Sequence, residues 1–302
     1  MIASVTLNPA VDYTVELSEP LTDGDVARTD EHRYDAGGKG INVSKYLVEL
    51  DVETVATGVA GGFLGRYLLE RLSRAAIDAD FVEIDGETRL NATVLGPDGE
   101  YKINQNGPRI AAPTVGNVVE TLRKYDPDTI VIAGSLPVGA GPETIDRVAE
   151  AGPWETVVDV GGATLADLEA EYALCKPNHE ELAAATERRV NDVRSAIAAA
   201  EELRAAGFDR VVASLGAEGA IMAAPDRTLH APAADVDVVD TVGAGDALLA
   251  GVLAARARQE SDAAALRSGV AVASRVVSVS GTRAPSFAGV RDDRESIAVS
   301  AY

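Results

Sequence analysis

Short apolar runs rich in Val and Ile alternate with amphipathic helical patterns along most of this chain of 302 residues. Six runs predict strands: IASVTL, TVATGV, TIVIAG, TVVDVG, ALCKP and RVVASLG. Between most of them lie helical patterns such as INVSKYLVEL and FLGRYLLERLSRAA. A strand that is apolar throughout has to be covered on both faces, and helices usually connect parallel strands. The sequence therefore predicts an α/β fold: a doubly wound, mostly parallel sheet flanked by helices, with two long helices after Gly245.

Two segments, residues 11–34 and 85–110, do not follow this alternation of strands and helices. Both alternate with period two and carry turn signals such as Pro97-Asp98-Gly99, which predicts short antiparallel strands. A βα unit separates them in sequence, so we expect them to meet as a small inserted β-sheet, a lid at the carboxyl edge of the main sheet. The expected division is a core of residues 1–10, 35–84 and 111–302, with 11–34 and 85–110 as the lid.

The chain is strongly acidic, with 48 Asp and Glu against 27 Lys and Arg and a formal net charge of −21. Nucleic-acid binding through phosphates requires the opposite sign, so we expect no nucleic-acid partner. The acids are spread along the chain, which is typical of adaptation to a high-salt cytoplasm and also of an ordinary solvated acidic surface. There is no apolar run of about 18 residues and no basic leader, and Cys175 is the single cysteine. These features predict a cytoplasmic protein that does not bind a membrane and has no internal disulfide.

The stretch DTVGAGDALLAG, residues 240–251, combines a glycine turn with the start of a helix. Free N–H groups and the helix dipole make such a turn an anion site, yet Asp246 stands in it. Phosphoryl transfer reconciles the two features. Gly243, Ala244 and Gly245 would stabilise the charge that develops on the transferred group, and Asp246, kept ionised by the helix terminus, would accept the proton of an attacking hydroxyl. The alternative is that Asp246 only caps the helix.

A second glycine-rich stretch, AGGKGINVS at residues 36–44, offers a cradle for a polar ligand. It is not a nucleotide P-loop, because Gly40 follows Lys39 where Ser or Thr is required. A sugar or sugar phosphate fits Gly38, Lys39 and Asn42 better. Asp12, after the first strand, can accept hydrogen bonds from sugar hydroxyls, or it forms an Asx turn. GVAGGFLG only approximates a dinucleotide fingerprint, which argues against a dehydrogenase.

Three further groups of polar residues carry weaker signals. In the second lid segment, Arg89, Asn91, Lys102 and Asn104 occupy alternating positions, so they share one face that can receive an anion or remain solvated. Asn178 and Glu181 in KPNHEE are three apart, which suits the hydration shell of Mg²⁺ or a capped helix start. SLGAEGA, residues 214–220, suits a nucleotide base or ribose, or is a plain hairpin turn. GSLP and VDVGG each end a strand and can line a cleft without being specific.

Taken in order, TLNPAVD, AGGKGINVS, TRLN, GSLP, KPNHEE, SLGAEGA and DTVGAGDALLAG resemble the ribokinase-like (PfkB) carbohydrate kinases over nearly the whole chain. The resemblance implies ATP and Mg²⁺ as cofactors and a homodimer formed through the lid sheets. It implies a site made of a catalytic base and anion hole, a nucleotide and Mg²⁺ site, and a sugar-phosphate site. The implied catalytic base is Asp246, and the implied anion hole consists of Gly243, Ala244 and Gly245. The implied nucleotide-binding residues are Ser214, Gly216, Gly219, Asn178 and Glu181, of which Asn178 and Glu181 would hold Mg²⁺ through water. The implied sugar-phosphate residues are Asp12, Gly38, Lys39, Asn42, Arg89 and Lys102.

A TLNPA start together with GGKGxN is similar to the hexose-phosphate branch of the family. This resemblance implies transfer from ATP to fructose 1-phosphate, giving fructose 1,6-bisphosphate. The alternatives are fructose 6-phosphate or tagatose 6-phosphate as substrate and, in another class, a non-catalytic sugar-phosphate sensor. Val138 and Thr93 stand where the branch often has a basic or proline residue and a lysine, and Lys102 on the neighbouring segment would compensate.

Overall fold

The computed structural model describes residues 1–279 and 284–302. Its main sheet has ten strands in the order β14-β13-β12-β11-β10-β9-β8-β1-β4-β5. The strands from β11 to β5 in this order run parallel, and β12, β13 and β14 are added antiparallel at one edge. The ranges are β1 Ile2–Thr6, β4 Thr54–Gly61, β5 Ala79–Ile84, β8 Thr129–Ala133, β9 Glu155–Asp159, β10 Leu174–Cys175, β11 Val211–Ser214, β12 Ala220–Ala223, β13 Thr228–Ala231 and β14 Ser300–Ala301.

Helices cover both faces of this sheet. They are α1 Lys39–Glu49, α2 Gly62–Arg74, α3 Ala112–Tyr125, α4 Pro142–Ala149, α5 Gly162–Ala166, α6 His179–Thr186, α7 Val193–Ala205, α8 Ala244–Ala257, α9 Asp262–Val277 and α10 Val290–Glu295. Alternate residues of one strand enter different cores: Ile130 and Ile132 face the core that includes α3, α4 and α7, and Val131 faces the core that includes α1, α8 and α9. The predicted α/β class, with its doubly wound and mostly parallel sheet, is confirmed.

A separate four-stranded sheet has the order β3-β2-β6-β7, with β2 Ala10–Glu16, β3 His32–Gly37, β6 Arg89–Gly96 and β7 Gly99–Asn104. Each predicted lid segment supplies one hairpin. The two hairpins are antiparallel inside, but β2 and β6 join them in parallel, which the sequence did not predict. The expected lid limit at residue 34 falls inside β3, which continues to Gly37 and leads into α1.

The parallel strands fix where a ligand site can lie. Their carboxyl ends share one edge of the main sheet, and the small sheet joins the core at this edge through the starts of β2 and β6 and the end of β3. Among the residues that the structure describes, no helix is long and apolar enough to cross a membrane.

Candidate active site

The turn that opens α8 is built around Gly243. Gly243 caps the helix with a φ of 80°, in the left-handed region where glycine is favoured, and a Cβ there would lie 2.5 Å from the Tyr46 hydroxyl. The first N–H groups of a helix have no carbonyl partner within it, so Gly245 and Asp246 present an electropositive turn. The predicted anion-binding residues therefore lie together at a helix start.

Asp246 lies in the first turn of α8 and is 6% exposed. The Asn42 side-chain amide, on α1, donates to its Oδ2 at 2.8 Å. Burial, together with the nearby Asp159 carboxylate, raises the Asp246 pKa to about 6, against lowering effects from Asn42 and from the lysines Lys39 and Lys176. At neutral pH the carboxyl is still mainly ionised. The sequence predicted that the helix terminus keeps Asp246 ionised; burial raises the pKa of the carboxyl above its usual range but leaves it below neutral pH.

Beside Asp246 lies a group of alternating charges that spans three strand ends. Lys39 Nζ donates to Asp159 Oδ1 at 2.8 Å and lies 3.4 Å from Glu181 Oε1, while Lys176 Nζ lies 3.4 Å from Asp159 Oδ2. Burial opposes the Lys39 charge, but Asp159 and Glu181 outweigh it and raise the pKa of the amine. A Cβ on Gly245 would lie 3.2 Å from Lys176 Nζ, so two ammonium groups stand close to the anion turn. The site can neutralise a highly charged phosphate chain.

The pair Asn178 and Glu181 forms a reciprocal cap at the start of α6. Asn178 Oδ1 accepts from the Glu181 N–H at 2.8 Å, and Glu181 Oε2 accepts from the Asn178 N–H at 2.9 Å. The capped helix start, which was the alternative interpretation of this motif, is therefore present. Glu181 Oε1 lies on the Lys39 side of the cleft, where it accepts a hydrogen bond from Lys39 Nζ at 3.4 Å. No cluster of three or more metal-ligating side chains occurs within the described ranges.

A cavity of about 730 Å³ opens next to the anion turn. Its volume falls within the range of about 300–1,000 Å³ typical of small-molecule sites. One wall is apolar and includes Val236, Val238 and Leu248, which suits a flat base. SLGAEGA does form a tight link between β11 and β12, and it lines this cavity as well. Predicted residues on the lining are Lys39, Asn178, Ser214, Gly216, Gly219, Gly243, Ala244, Gly245 and Asp246.

Among the predicted sugar-binding residues, Asp12 and Arg89 lie on the small sheet, whereas Lys39 lines the cavity and Asn42 contacts Asp246. Asp12 Oδ1 accepts from the Asn91 amide at 2.8 Å, and a Cβ on Gly37 would overlap the Asp12 carboxylate. Burial raises the Asp12 pKa, although the Asn91 hydrogen bond opposes this. Gly38 caps α1, which brings Lys39 and Asn42 to the same edge. Side chains of β2 and β6 thus contact each other through Asp12 and Asn91, and α1 contacts Asp246 through Asn42.

Arg89 and Lys102 are placed differently. Arg89, at the start of β6, donates to the Asn8 carbonyl at 3.1 Å and approaches the Ser135 hydroxyl at 3.4 Å. Ser135 belongs to the GSLP stretch, so that stretch takes part in the cleft. Lys102 lies opposite Thr93, on the edge strand β7, and is 54% exposed in an ion pair with Glu100. The structure brings Arg89 to the sheet edge and leaves Lys102 farther out on the same face.

Four residues of this site were not predicted: Lys45, Tyr46, Asp159 and Lys176. Asp159 ends the strand VVD, and Lys176 stands directly before the PNHE motif, so both could have been found as polar residues at strand ends. Lys45 and Tyr46 follow Asn42 by three and four positions on α1, which places all three on one helix face. A lysine in a helix usually indicates solvent exposure, so no local pattern marks Lys45 as part of a site.

Comparison with known proteins identifies the fold and its chemistry. The sequence profile of the pfkB family carbohydrate kinases matches residues 5–288. The chain belongs to this family. This pfkB kinase is 53% identical to the 1-phosphofructokinase of Haloferax volcanii, over 99% of its own length and 98% of the relative's. It is 36% identical to the D-tagatose-1-phosphate kinase of Bacillus licheniformis, covering 83% and 84% of the two chains.

The likeness extends to solved structures. The crystal structure of phosphofructokinase-2 from Escherichia coli in complex with potassium superposes with a TM-score of 0.89 at 27% identity, and 97% and 98% of the two chains are covered. The match includes both sheets of this pfkB kinase. The predicted family and fold are therefore confirmed.

Proposed function

We propose that this pfkB kinase transfers the γ-phosphoryl group of ATP to the 6-hydroxyl of fructose 1-phosphate, giving fructose 1,6-bisphosphate and ADP. The arrangement that carries the proposal is Asp246: a buried carboxylate, oriented by Asn42, at an electropositive helix start that lines a nucleotide-sized cavity. The 53% identity to a 1-phosphofructokinase across nearly the whole chain supports the substrate.

In the proposed reaction the sugar hydroxyl attacks the γ-phosphorus in line with the departing ADP. Asp246 accepts the hydroxyl proton as the new O–P bond forms and the bond to the β-phosphate oxygen breaks. Negative charge develops on the transferred group, and the N–H groups of residues 243–246 together with Lys39 and Lys176 stabilise it. The pKa of Asp246, about 6, is low enough for the base to be ionised at neutral pH.

The residues present fit both cofactors. Gly216 and Gly219 have φ values of 59° and 86°, and together with the turn at Gly243 they leave room for phosphates and ribose to approach the backbone. Glu181 and Asn178 offer the oxygen donors that Mg²⁺ prefers, through water. Bound Mg²⁺ would neutralise charge on the ATP phosphates.

For the sugar phosphate we assign Asp12, Gly38 and Asn42 to the hydroxyl groups and Arg89 to the phosphate. Asp12 is a half-buried acceptor on the lid, and Arg89 lies two residues before Asn91 on the same face. Lys102 is the second cation of that face. It pairs across the strands with Thr93, which stands at the position where this branch of the family often has a lysine. We assign it to the same phosphate, with closure of the small sheet over the core bringing it inward.

We also propose that two copies associate through the small sheet, whose outward face carries the exposed apolar residues Tyr34, Tyr101 and Ile103. The proposed setting is a cytoplasm of high salt, where both ATP and sugar phosphates occur and where the charge of −21 favours solubility.

The deciding experiment is a kinase assay in molar KCl with MgATP. It compares kcat/KM for fructose 1-phosphate, fructose 6-phosphate, tagatose 6-phosphate and tagatose 1-phosphate. We expect fructose 1-phosphate to be preferred over either 6-phosphate by about a hundredfold, or about 2.7 kcal/mol in transition-state binding.

Preference for a 6-phosphate would leave Asp246 as the proposed base but would contradict the proposed binding of the substrate phosphate by Arg89 and Lys102. Preference for tagatose 1-phosphate, the substrate named for the Bacillus licheniformis relative, would change only the sugar. Binding of sugar phosphates without turnover of any of them would make the protein a sensor and overturn the proposal.

A further inference from the structure

Lys45 is a half-buried lysine for which the proposed reaction has no role. It lies on α1, close to the first turn of α8 and to the carboxyl end of β3. Its Nζ donates to the Ala36 carbonyl at 2.5 Å and to Asn42 Oδ1 at 3.1 Å. Burial lowers the pKa of this amine, and the carboxylates of Asp35, Asp12 and Asp246 oppose that effect. A long charged side chain is seldom buried without a specific partner, so its contacts need an explanation.

The contact with Asn42 has a definite chemical consequence. An ammonium group only donates hydrogen bonds, so it fixes the carbonyl oxygen of the Asn42 amide on its own side. The amide nitrogen is thereby turned to the opposite side, where it donates to Asp246 Oδ2 at 2.8 Å. If the amide were reversed, its oxygen would face the carboxylate and repel it.

We propose that Lys45 is a positioning residue: it sets the orientation of the Asn42 amide and, through that amide, the hydrogen bond that holds the base Asp246. Because Ala36 belongs to β3, the same ammonium group ties the small sheet to the base. The inference rests on the proposed function for its kinetic consequence but not for its geometry.

Other groups face Asp246 from each neighbouring element. Lys39 and Tyr46 come from α1, Asp159 from the end of β9 and Lys176 from the residue after β10. Lys39 and Lys176 stay in place when Lys45 is changed, so the change removes only the contact with the amide and the direct effect of the Lys45 charge on Asp246. Loss of one hydrogen bond to a carboxylate corresponds to a rise of about one pH unit in its titration midpoint.

The test is Lys45→Met, which keeps the stem and removes the donor. The Asp246 carboxyl is titrated by ¹³C NMR on protein labelled at aspartate, with Asp246→Asn to assign its signal. We expect the midpoint to rise by about one pH unit. The acid limb of kcat against pH should rise with it, costing about fivefold in kcat at pH 6 and less at higher pH, while KM for ATP stays within about twofold.

A double-mutant cycle separates orientation from simple charge. In an Asn42→Ala background, Lys45→Met should shift the midpoint clearly less, because the amide is gone and only the direct effect of the Lys45 charge on Asp246 remains. An equal shift in both backgrounds, or no shift in either, would overturn the proposal. Lys124→Met, on an exposed helix end, is the matched control and should leave the midpoint unmoved in both backgrounds.

Two further measures keep the test decisive. Should Lys45→Met fail to fold, Lys45→Gln enters the same cycle with the same expected dependence on Asn42. The NMR titration does not require turnover. Absence of kinase activity in the unaltered protein would therefore refute the proposed function, while the midpoints would still decide the role of Lys45.

Discussion

At the residue scale, Asp246 shows a conflict between stability and chemistry. Its pKa of about 6 in the folded protein lies above the ordinary value of 3.8, because burial and Asp159 disfavour the charge. Between these two values the folded state binds more protons than the unfolded state. The resulting stabilisation is fully present below about pH 4 and is lost as pH rises through about 6. At neutral pH the ionised base therefore lowers the stability of the fold.

Asp246→Asn should consequently have two opposite effects. Turnover should fall by about 10²–10⁴-fold, since the general base is lost. The free energy of unfolding at pH 7 should increase by roughly 1–3 kcal/mol, and this gain should shrink as pH falls through 6. Urea unfolding from pH 5 to 8 checks the second effect, and the assay with fructose 1-phosphate checks the first.

The control is Asp226→Asn in an exposed turn, which should alter neither property. Near-normal turnover in Asp246→Asn would remove the base from the mechanism. A loss of stability at pH 7 would show that the buried carboxylate contributes favourably to folding.

The residues that the sequence could predict are those whose local spacing already implies chemistry. The spacing of Asn178 and Glu181 predicted that they meet at one helix start, and the glycine turn predicted that Asp246 lies in the first turn of a helix. Asp159 was not found as a partner of Lys39, because the two lie 120 positions apart and meet only once β9 takes its place in the sheet. Long-range ion pairs depend on strand order, which no local pattern records.

At the element scale, the small sheet has two faces of different chemistry. Asp12, Asn91 and Lys102 share the polar face, while Tyr13 and Tyr34 stack on the other with ring centroids 4.4 Å apart. Tyr34 also meets Tyr67 of α2 edge to face, so the inner end of the apolar face is covered by the core. The outer end is open: Ile103 on the edge strand β7 is 64% exposed.

The alternation of apolar and polar residues was sufficient to predict these strands, but not how the two hairpins join. The parallel pairing of β2 with β6 depends on the direction in which each hairpin leaves the main sheet. Turn signals describe the hairpin itself and carry no information about that direction.

An isolated sheet with an open apolar face and free edges is a favourable surface for association. We expect light scattering to give a dimer in molar KCl, and Ile103→Glu to give a monomer, because a carboxylate buried in the interface would lack a partner. Tyr302→Glu, an equally exposed apolar residue outside the sheet, is the control and should stay dimeric. A dimer that survives Ile103→Glu would place the interface elsewhere.

At the scale of the whole molecule, the excess of acid is the dominant property. A net charge of −21 opposes compaction at low ionic strength, because surface carboxylates repel one another over distances of about 10 Å at 0.1 M salt and only about 3 Å at 1 M. The ion pairs of the described surface, such as Arg210 with Asp262, offset only part of this repulsion.

The thermal unfolding midpoint should therefore rise steeply between low and molar KCl, and the slope should depend on the number of surface acids. A variant that replaces Glu49, Glu171, Asp209 and Asp226 with their amides removes exposed charge far from the proposed catalytic residues. We expect it to be more stable than the parent protein at low salt and to respond less to KCl, with the two midpoints converging near 1 M as screening removes the difference. Differential scanning calorimetry of both proteins across the salt series measures this. Equal slopes would assign the salt response to burial or to specific ion binding instead of surface repulsion, and a flat response in both would leave the acidic composition without a role in stability.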